Sequence, residues 1–148
     1  MARVLVVGGA SRRALDLARG LIAEGHAVRS VATTPDEITA VTEAGAEAWP
    51  GDPDVIGTLR YALENVTLLI WMLGEDERPE IHGSRLAMML EKTIDTTVRG
   101  VVYEAGAGGT GDSGVATVED VAGFNEIPYR VVPYGGDVRG AVDALLAR

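Results

Sequence analysis

The residues able to do chemistry are few, and most of them gather at one turn. Gly8-Gly9-Ala10-Ser11-Arg12-Arg13-Ala14 follows the apolar run Val4-Leu5-Val6-Val7 and opens a stretch of helical periodicity. A helix that starts straight after such a turn presents unpaired N–H groups and the positive end of its dipole, about half a charge, to any phosphate placed there. Arg12 and Arg13 add two full cations. Glu104, closing the run Gly100 to Glu104, is the best single carboxylate for a catalytic role; the simpler reading is a solvated strand end. His82 follows Glu80 and Ile81 near a helix start and reads as an exposed helix residue, and His26 reads as a turn residue. The histidines, Ser84 and Ser113 show no triad spacing.

Other chemistries are excluded by composition. The chain has no cysteine, which removes thiol nucleophiles, disulfides and thiolate metal sites, and it has 2 histidines, so no metal site is expected. Lys92 is the sole candidate for a lysine-dependent mechanism. The formal net charge of -9 repels phosphate backbones, so nucleic acid is not an expected partner and a small-molecule nucleotide is. The longest apolar run, Val66 to Leu73, is broken by Thr67 and falls well short of the roughly 20 residues that span a bilayer, so no membrane partner is expected. Met1-Ala2-Arg3 leads into only a short apolar run and has no signal-peptide pattern; with the lack of cysteine, this points to a cytoplasmic protein.

The elements that must position these residues alternate. Apolar runs at Val4–Val7, Ala27–Ala32, Ala46–Trp49, Thr67–Met72, Gly100–Glu104 and Tyr129–Val132 read as strands, several apolar on both faces as in a buried parallel sheet. Between them the spacing predicts helices over Ser11–Glu24, from Thr34 to about Gly45, from Asp52 to about Glu64, over Arg78–Ile94 and Val115–Asn125, with a last one over Asp137–Leu146. Thr34-Pro35-Asp36-Glu37 is a helix start, with a capping hydroxyl, proline in the first turn and acids at the positive dipole end. Gly106 to Gly114 reads as a mobile glycine-rich surface loop. The 148 residues read as one domain, 1–148, of α/β class: a three-layer Rossmann fold whose doubly wound, six-stranded parallel sheet has the order 3-2-1-4-5-6. The helix at 78–94, with Met88 and Met89, is the candidate face of a homodimer, unless its stripe is core.

Three features resemble the short-chain dehydrogenase/reductase superfamily, in particular its atypical branch of epimerase-like and NAD(P)H-binding proteins. They are the strand–Gly–Gly–Ala–Ser–Arg–helix junction at 4–24, the phrase Glu24-Gly25-His26-Ala27-Val28, and Gly51-Asp52-Pro53-Asp54 with Leu59 and Ala62-Leu63 after it. The resemblance in motif covers about the first 75 residues. It implies a dinucleotide site over Gly8, Gly9, Ala10, Ser11, Arg12 and Arg13, with Asp52 beside an adenine ring, Thr33 and Thr34 near the ribose, and Leu73 and Gly74 at the end of strand four.

Departures from the family pattern shape the expectation. Its three loop glycines fall on Gly8, Ser11 and Ala14 here; Ser11 hinders close backbone approach, though its hydroxyl could donate to a phosphate. Strand two ends Ala32-Thr33-Thr34 without the acid that usually holds the ribose of NAD, and an arginine at Arg12 in this family commonly pairs with the 2′-phosphate of NADP. NADP is therefore expected over NAD, or no cofactor at all. The family's catalytic tyrosine has a lysine four residues on. Here Tyr61, Tyr103, Tyr129 and Tyr134 are followed at that spacing by Asn65, Ala107, Pro133 and Val138. The chain also ends after strand six, so no C-terminal substrate domain is expected. A substrate would lie in a shallow crevice lined by Leu73, Gly74, Glu75, Glu104, the 106–114 loop and Tyr134. Two functions stay open: a nucleotide sensor or NADPH-dependent reductase lacking the tyrosine–lysine pair, or a degenerate Rossmann domain without cofactor that serves binding or assembly.

Overall fold

The β-branched runs form parallel strands because each is buried on both faces, and the helices between them supply the cover. In the computed structural model, which describes residues 1–108 and 111–147, the strands are β1 (Arg3–Val7), β2 (Ala27–Ala32), β3 (Glu47–Pro50), β4 (Leu68–Trp71), β5 (Gly100–Glu104) and β6 (Tyr129–Val132). They form one sheet in the order β3-β2-β1-β4-β5-β6, every pairing parallel, as expected from the sequence. The order reverses between β1 and β4, where chain connections leave in opposite directions and a crevice opens at the strand C-termini.

Helices α1 (Arg12–Ala23), α2 (Pro35–Glu43) and α6 (Val138–Leu146) cover one face, burying Ala14, Leu17, Leu21, Val41 and Val142 against Val4, Val6 and Ile70. The other face carries a 3-10 helix (Ile56–Leu63), α3 (Pro79–His82), α4 (Ser84–Thr93) and α5 (Gly111–Val118), packed on Leu5, Val7, Leu69, Trp71 and Tyr103. The caps act as the sequence indicates. Ser11 Oγ accepts from the Ala14 N–H, and Thr34 with Glu37 closes a capping box.

Three expectations are corrected. The helix expected from Asp52 starts only at Ile56 and is 3-10: Ile56, Leu59 and Ala62 recur every third residue and are buried, which suits three residues per turn. Before it, Asp52 and Thr58 spend side-chain hydrogen bonds on the Asp54 N–H, the Asp52 N–H and the Val55 carbonyl, competing with an α-helical start. The helix expected over 78–94 breaks at Gly83 (φ -121°, ψ -103°) into α3 and α4, and its stripe of Ile81, Leu86, Met89 and Leu90 faces the core, leaving Met88 outside. The last part of the expected 106–114 loop, from Gly111 to Gly114, is helical instead: α5 begins at Gly111 and runs into a π turn at Glu119–Gly123, while 106–108 are irregular as expected and residues 109–110 lie outside the described residues.

Candidate functional site: a cleft at the point where strand order reverses

The turn after β1 is shaped by contacts that only glycine permits. Gly8 has φ +86°, and a β-carbon there would run into the Met72 carbonyl at the end of β4. A β-carbon on Gly9 would stand 2.5 Å from the Cβ of Ser30 in β2. The first turn of α1 is thereby seated in the fork between β2 and β4. An open cleft of about 620 Å³ lies over it, lined by Gly8, Gly9, Ala10, Ser11, Arg13, Val31, Thr33, Glu37 and Pro53, and by Met72, Leu73, Glu75, Asp76 and Glu77 from the β4 exit.

Of the residues singled out in the sequence, Gly8, Gly9, Ala10, Ser11, Arg13, Thr33 and Leu73 are brought together around this cleft. Arg12, Thr34, Asp52, Gly74 and Glu104 lie outside its lining among the described residues. Ser11 is occupied as the cap of α1. Thr33 donates its hydroxyl to the Gly51 carbonyl at 2.9 Å, and Asp52 accepts from the Asp54 N–H.

Glu37 was not legible as a site residue. The capping box that places it does so by folding its carboxylate back to accept from the N–H groups of Thr33 (2.7 Å) and Thr34 (3.2 Å), at the rim where β2 ends. An acid therefore stands near the strand-two end after all, five residues later in sequence than its usual place.

Glu104 corrects the reading of a solvated strand end. Its side chain is fully buried. It takes a bidentate pair from Arg13, with Nη2 at 3.0 Å from Oε1 and Nη1 on Oε2. It also accepts from the Gly74 N–H at 3.2 Å and the Gly135 N–H at 3.4 Å. One carboxylate thus ties together the exits of β4, β5 and β6 and the start of α1. Arg13 lies with its guanidinium 4.9 Å from the Tyr134 ring centre, and the Tyr134 hydroxyl donates to Glu75 at 3.2 Å. Hydrogen bonding to Glu104 raises the Arg13 pKa further, against the opposing effect of burial. A carboxylate held by four donors is not presented to a substrate as a base.

His82 corrects the expectation of an exposed helix residue. The Gly83 break turns it inward and buries it completely. Its Nε2 is 2.8 Å from the Asp76 carbonyl, which can only accept, so Nε2 carries a proton. Nδ1 lies 2.6 Å from the Tyr103 hydroxyl. Burial pushes the Tyr103 phenol up to about 12. Tyr134 is shifted upward as well, by desolvation and by its bond to Glu75. Proton transfer near neutrality calls for the opposite shift.

Comparisons with known proteins place the fold. No protein-family model matches the sequence, and no curated protein matches it. Among solved structures, vestitone reductase from alfalfa is similar with a TM-score of 0.72 at 14% identity, over 90% of this chain and 56% of the other. UDP-glucose 4-epimerase from Bifidobacterium longum, in complex with NAD+ and UDP, gives 0.68 at 17% identity, over 88% and 52%. The Citrobacter sp. triphenylmethane reductase complexed with NADP(H) gives 0.68 at 16% identity, over 86% and 48%. The chain spans about half the length of these proteins. Its fold is the one these epimerase and reductase structures share, which is the fold the glycine turn and the strand order anticipate. No helix among the described residues is long and apolar enough to cross a membrane.

Proposed function

We propose that this chain binds a nicotinamide dinucleotide across the β1–β4 crevice and acts as a nucleotide sensor, with its pyrophosphate over Gly8–Gly9 and the first turn of α1. The observation that carries this reading is the glycine seat: Gly8 at positive φ against Met72, and Gly9 against Ser30, bring the α1 N-terminus into an open cleft where strand order reverses. The ligands in the epimerase and triphenylmethane reductase structures support the choice of nucleotide.

Two residues bear on NADP against NAD. Arg12, the basis for NADP, stands exposed on α1 outside the cleft lining, whereas Glu37 lines the cleft. A carboxylate there accepts from a ribose hydroxyl and repels a 2′-phosphate, which favours NAD(H). A reductase role fits less well. The chain lacks the tyrosine–lysine spacing, Tyr103 is sealed in the core, and Glu104 is consumed by Arg13.

The test is thermal unfolding with NADH, NADPH and no ligand. A nucleotide at 100 times its dissociation constant adds about 2.7 kcal/mol, a rise of roughly 5–11 °C for a domain of this size. NADH is expected to shift the curve more than NADPH, and Glu37→Gln to narrow the difference. No shift with either nucleotide at millimolar concentration refutes the proposal and leaves the degenerate binding module as the better account.

A further inference from the structure

Across the glycine seat from the β2 end, the cleft has a wall of different chemistry. Leu73, Glu75, Asp76 and Glu77 line it where the chain leaves β4. The backbone of this wall is pinned. The Asp76 N–H bonds the Leu73 carbonyl at 3.0 Å, the Ala107 N–H bonds the Gly74 carbonyl at 2.8 Å, and the Asp76 carbonyl lies 2.8 Å from Nε2 of buried His82. Three consecutive acids are thereby held at one edge of the cleft.

The neighbouring cations leave most of that charge standing. Arg13 is spent on buried Glu104, a pair with no net charge. Arg78 pairs with Asp76 at 2.7 Å and approaches Asp54 at 3.6 Å. Glu75 and Glu77 are exposed, and among the described residues no cation pairs with either. Glu75 accepts from the Tyr134 hydroxyl at 3.2 Å, a neutral donor that leaves its charge in place.

A dinucleotide with its pyrophosphate on the α1 N-terminus places its two nucleosides on opposite sides of that seat. With the adenosine toward β2, the nicotinamide falls at the β4 exit. The oxidised nicotinamide is a pyridinium cation and the reduced one a neutral dihydropyridine. We infer that Glu75 and Glu77 make this site select the oxidised nicotinamide over the reduced one, so that the chain reads the redox state of its ligand by charge. The inference rests on the nucleotide reading above and adds what a sensor needs, a difference in affinity between two states of its signal. A unit charge about 7 Å away in a water-like dielectric changes binding about threefold, so two of them together give up to about tenfold. The net charge of -9 on the whole chain also favours the cation. Exposed charges beyond the Debye length of about 8 Å are largely screened at physiological salt, so a preference that survives there is local.

Calorimetric titration of the full chain with NAD+ and NADH tests it. At about 0.15 M salt NAD+ is expected to bind about fivefold tighter than NADH, and the ratio to fall toward one at about 1 M salt. A ratio below about threefold at the lower salt, or one that salt leaves unchanged, overturns the inference and leaves nucleotide binding intact. If neither nucleotide binds, both readings fail together. Glu75→Gln with Glu77→Gln is expected to bring the ratio below about half its native value. Glu119→Gln with Asp120→Asn removes the same charge from exposed positions in the turn before β6 and is expected to leave the ratio as it is. A ratio that stays above half in the first variant, or falls below half in the second, overturns the assignment to the β4 exit. The titrations of the unaltered chain decide the preference itself even if a variant folds poorly.

Discussion

Replacing Glu104 by Gln keeps the shape of the side chain and removes its charge, which isolates what the buried carboxylate does. In the native chain its two oxygens receive both Arg13 Nη groups and the N–H groups of Gly74 and Gly135. A glutamine keeps one acceptor oxygen and turns an NH2 toward at least one of those donors, so a donor faces a donor. Breaking a buried ion pair costs about 3–5 kcal/mol. Arg13 keeps 34% of its side chain in contact with water and recovers part of its hydration, so a loss of about 2–3 kcal/mol is expected. At 2–4 °C per kcal/mol this is roughly 4–12 °C in melting temperature. Arg13→Ala should cost more, about 3–5 kcal/mol, because it strands a wholly buried carboxylate. The double variant should then lose little beyond the worse single variant, since the pair acts as one unit. Urea unfolding of the four proteins at pH 7 measures all of this. The reasoning is refuted if Glu104→Gln falls within about 0.5 kcal/mol of the parent, as an exposed pair would, or if the single losses add in the double variant.

Gly114→Ala should destabilise by about 1–3 kcal/mol despite the better helix propensity of alanine, because the new carbon overlaps the Tyr103 hydroxyl and lies 2.8 Å from its Cε2; Gly57→Ala, with open space around it, serves as the control in the same melts. Tyr103 should be the last tyrosine to ionise in an ultraviolet titration, near pH 12. Its proton is held more tightly in the folded chain, so its contribution is complete below an unfolded pKa of about 10 and is lost as pH rises from there to about 12, a decline of roughly 2–3 kcal/mol. Tyr103→Phe should flatten that part of the stability curve; an unchanged alkaline slope would refute the assignment. Thr34→Ala should cost about 1 kcal/mol through loss of the α2 cap, and it should weaken nucleotide binding if Glu37 is positioned by that capping box, as equilibrium titration would show.

Much of the architecture was legible because its signals are local. Val4–Val7 and Leu68–Trp71 carry no polar face, which points to central parallel strands, and Ser11, Thr34 and Gly25 mark helix ends by side-chain or backbone chemistry within a few residues. The glycine turn was legible for the same reason. The break in the 78–94 helix was not, because apolar spacing continues on both sides of Gly83 and glycine within a helix is only a modest cost. The 3-10 geometry after Asp52 was missed because side-chain bonds of Asp52 and Thr58 decide it, and a helical stripe looks much the same at three residues per turn.

By itself, then, the sequence determined the alternation of strands and helices, their parallel order and the seat at Gly8–Gly9, all of which follow from periodicity and short-range backbone constraints. The tertiary structure alone decided the fate of the charged groups around that seat. Arg13 and Glu104 are 91 residues apart, and nothing near either of them announces the other. They meet because reversed crossovers at β1 and β4 bring the start of α1 to the exits of β4, β5 and β6, where a buried carboxylate must find cations and N–H donors or be expelled. The break at Gly83 buries His82 on Tyr103, and the β2 exit brings Glu37, held by its capping box, to the cleft.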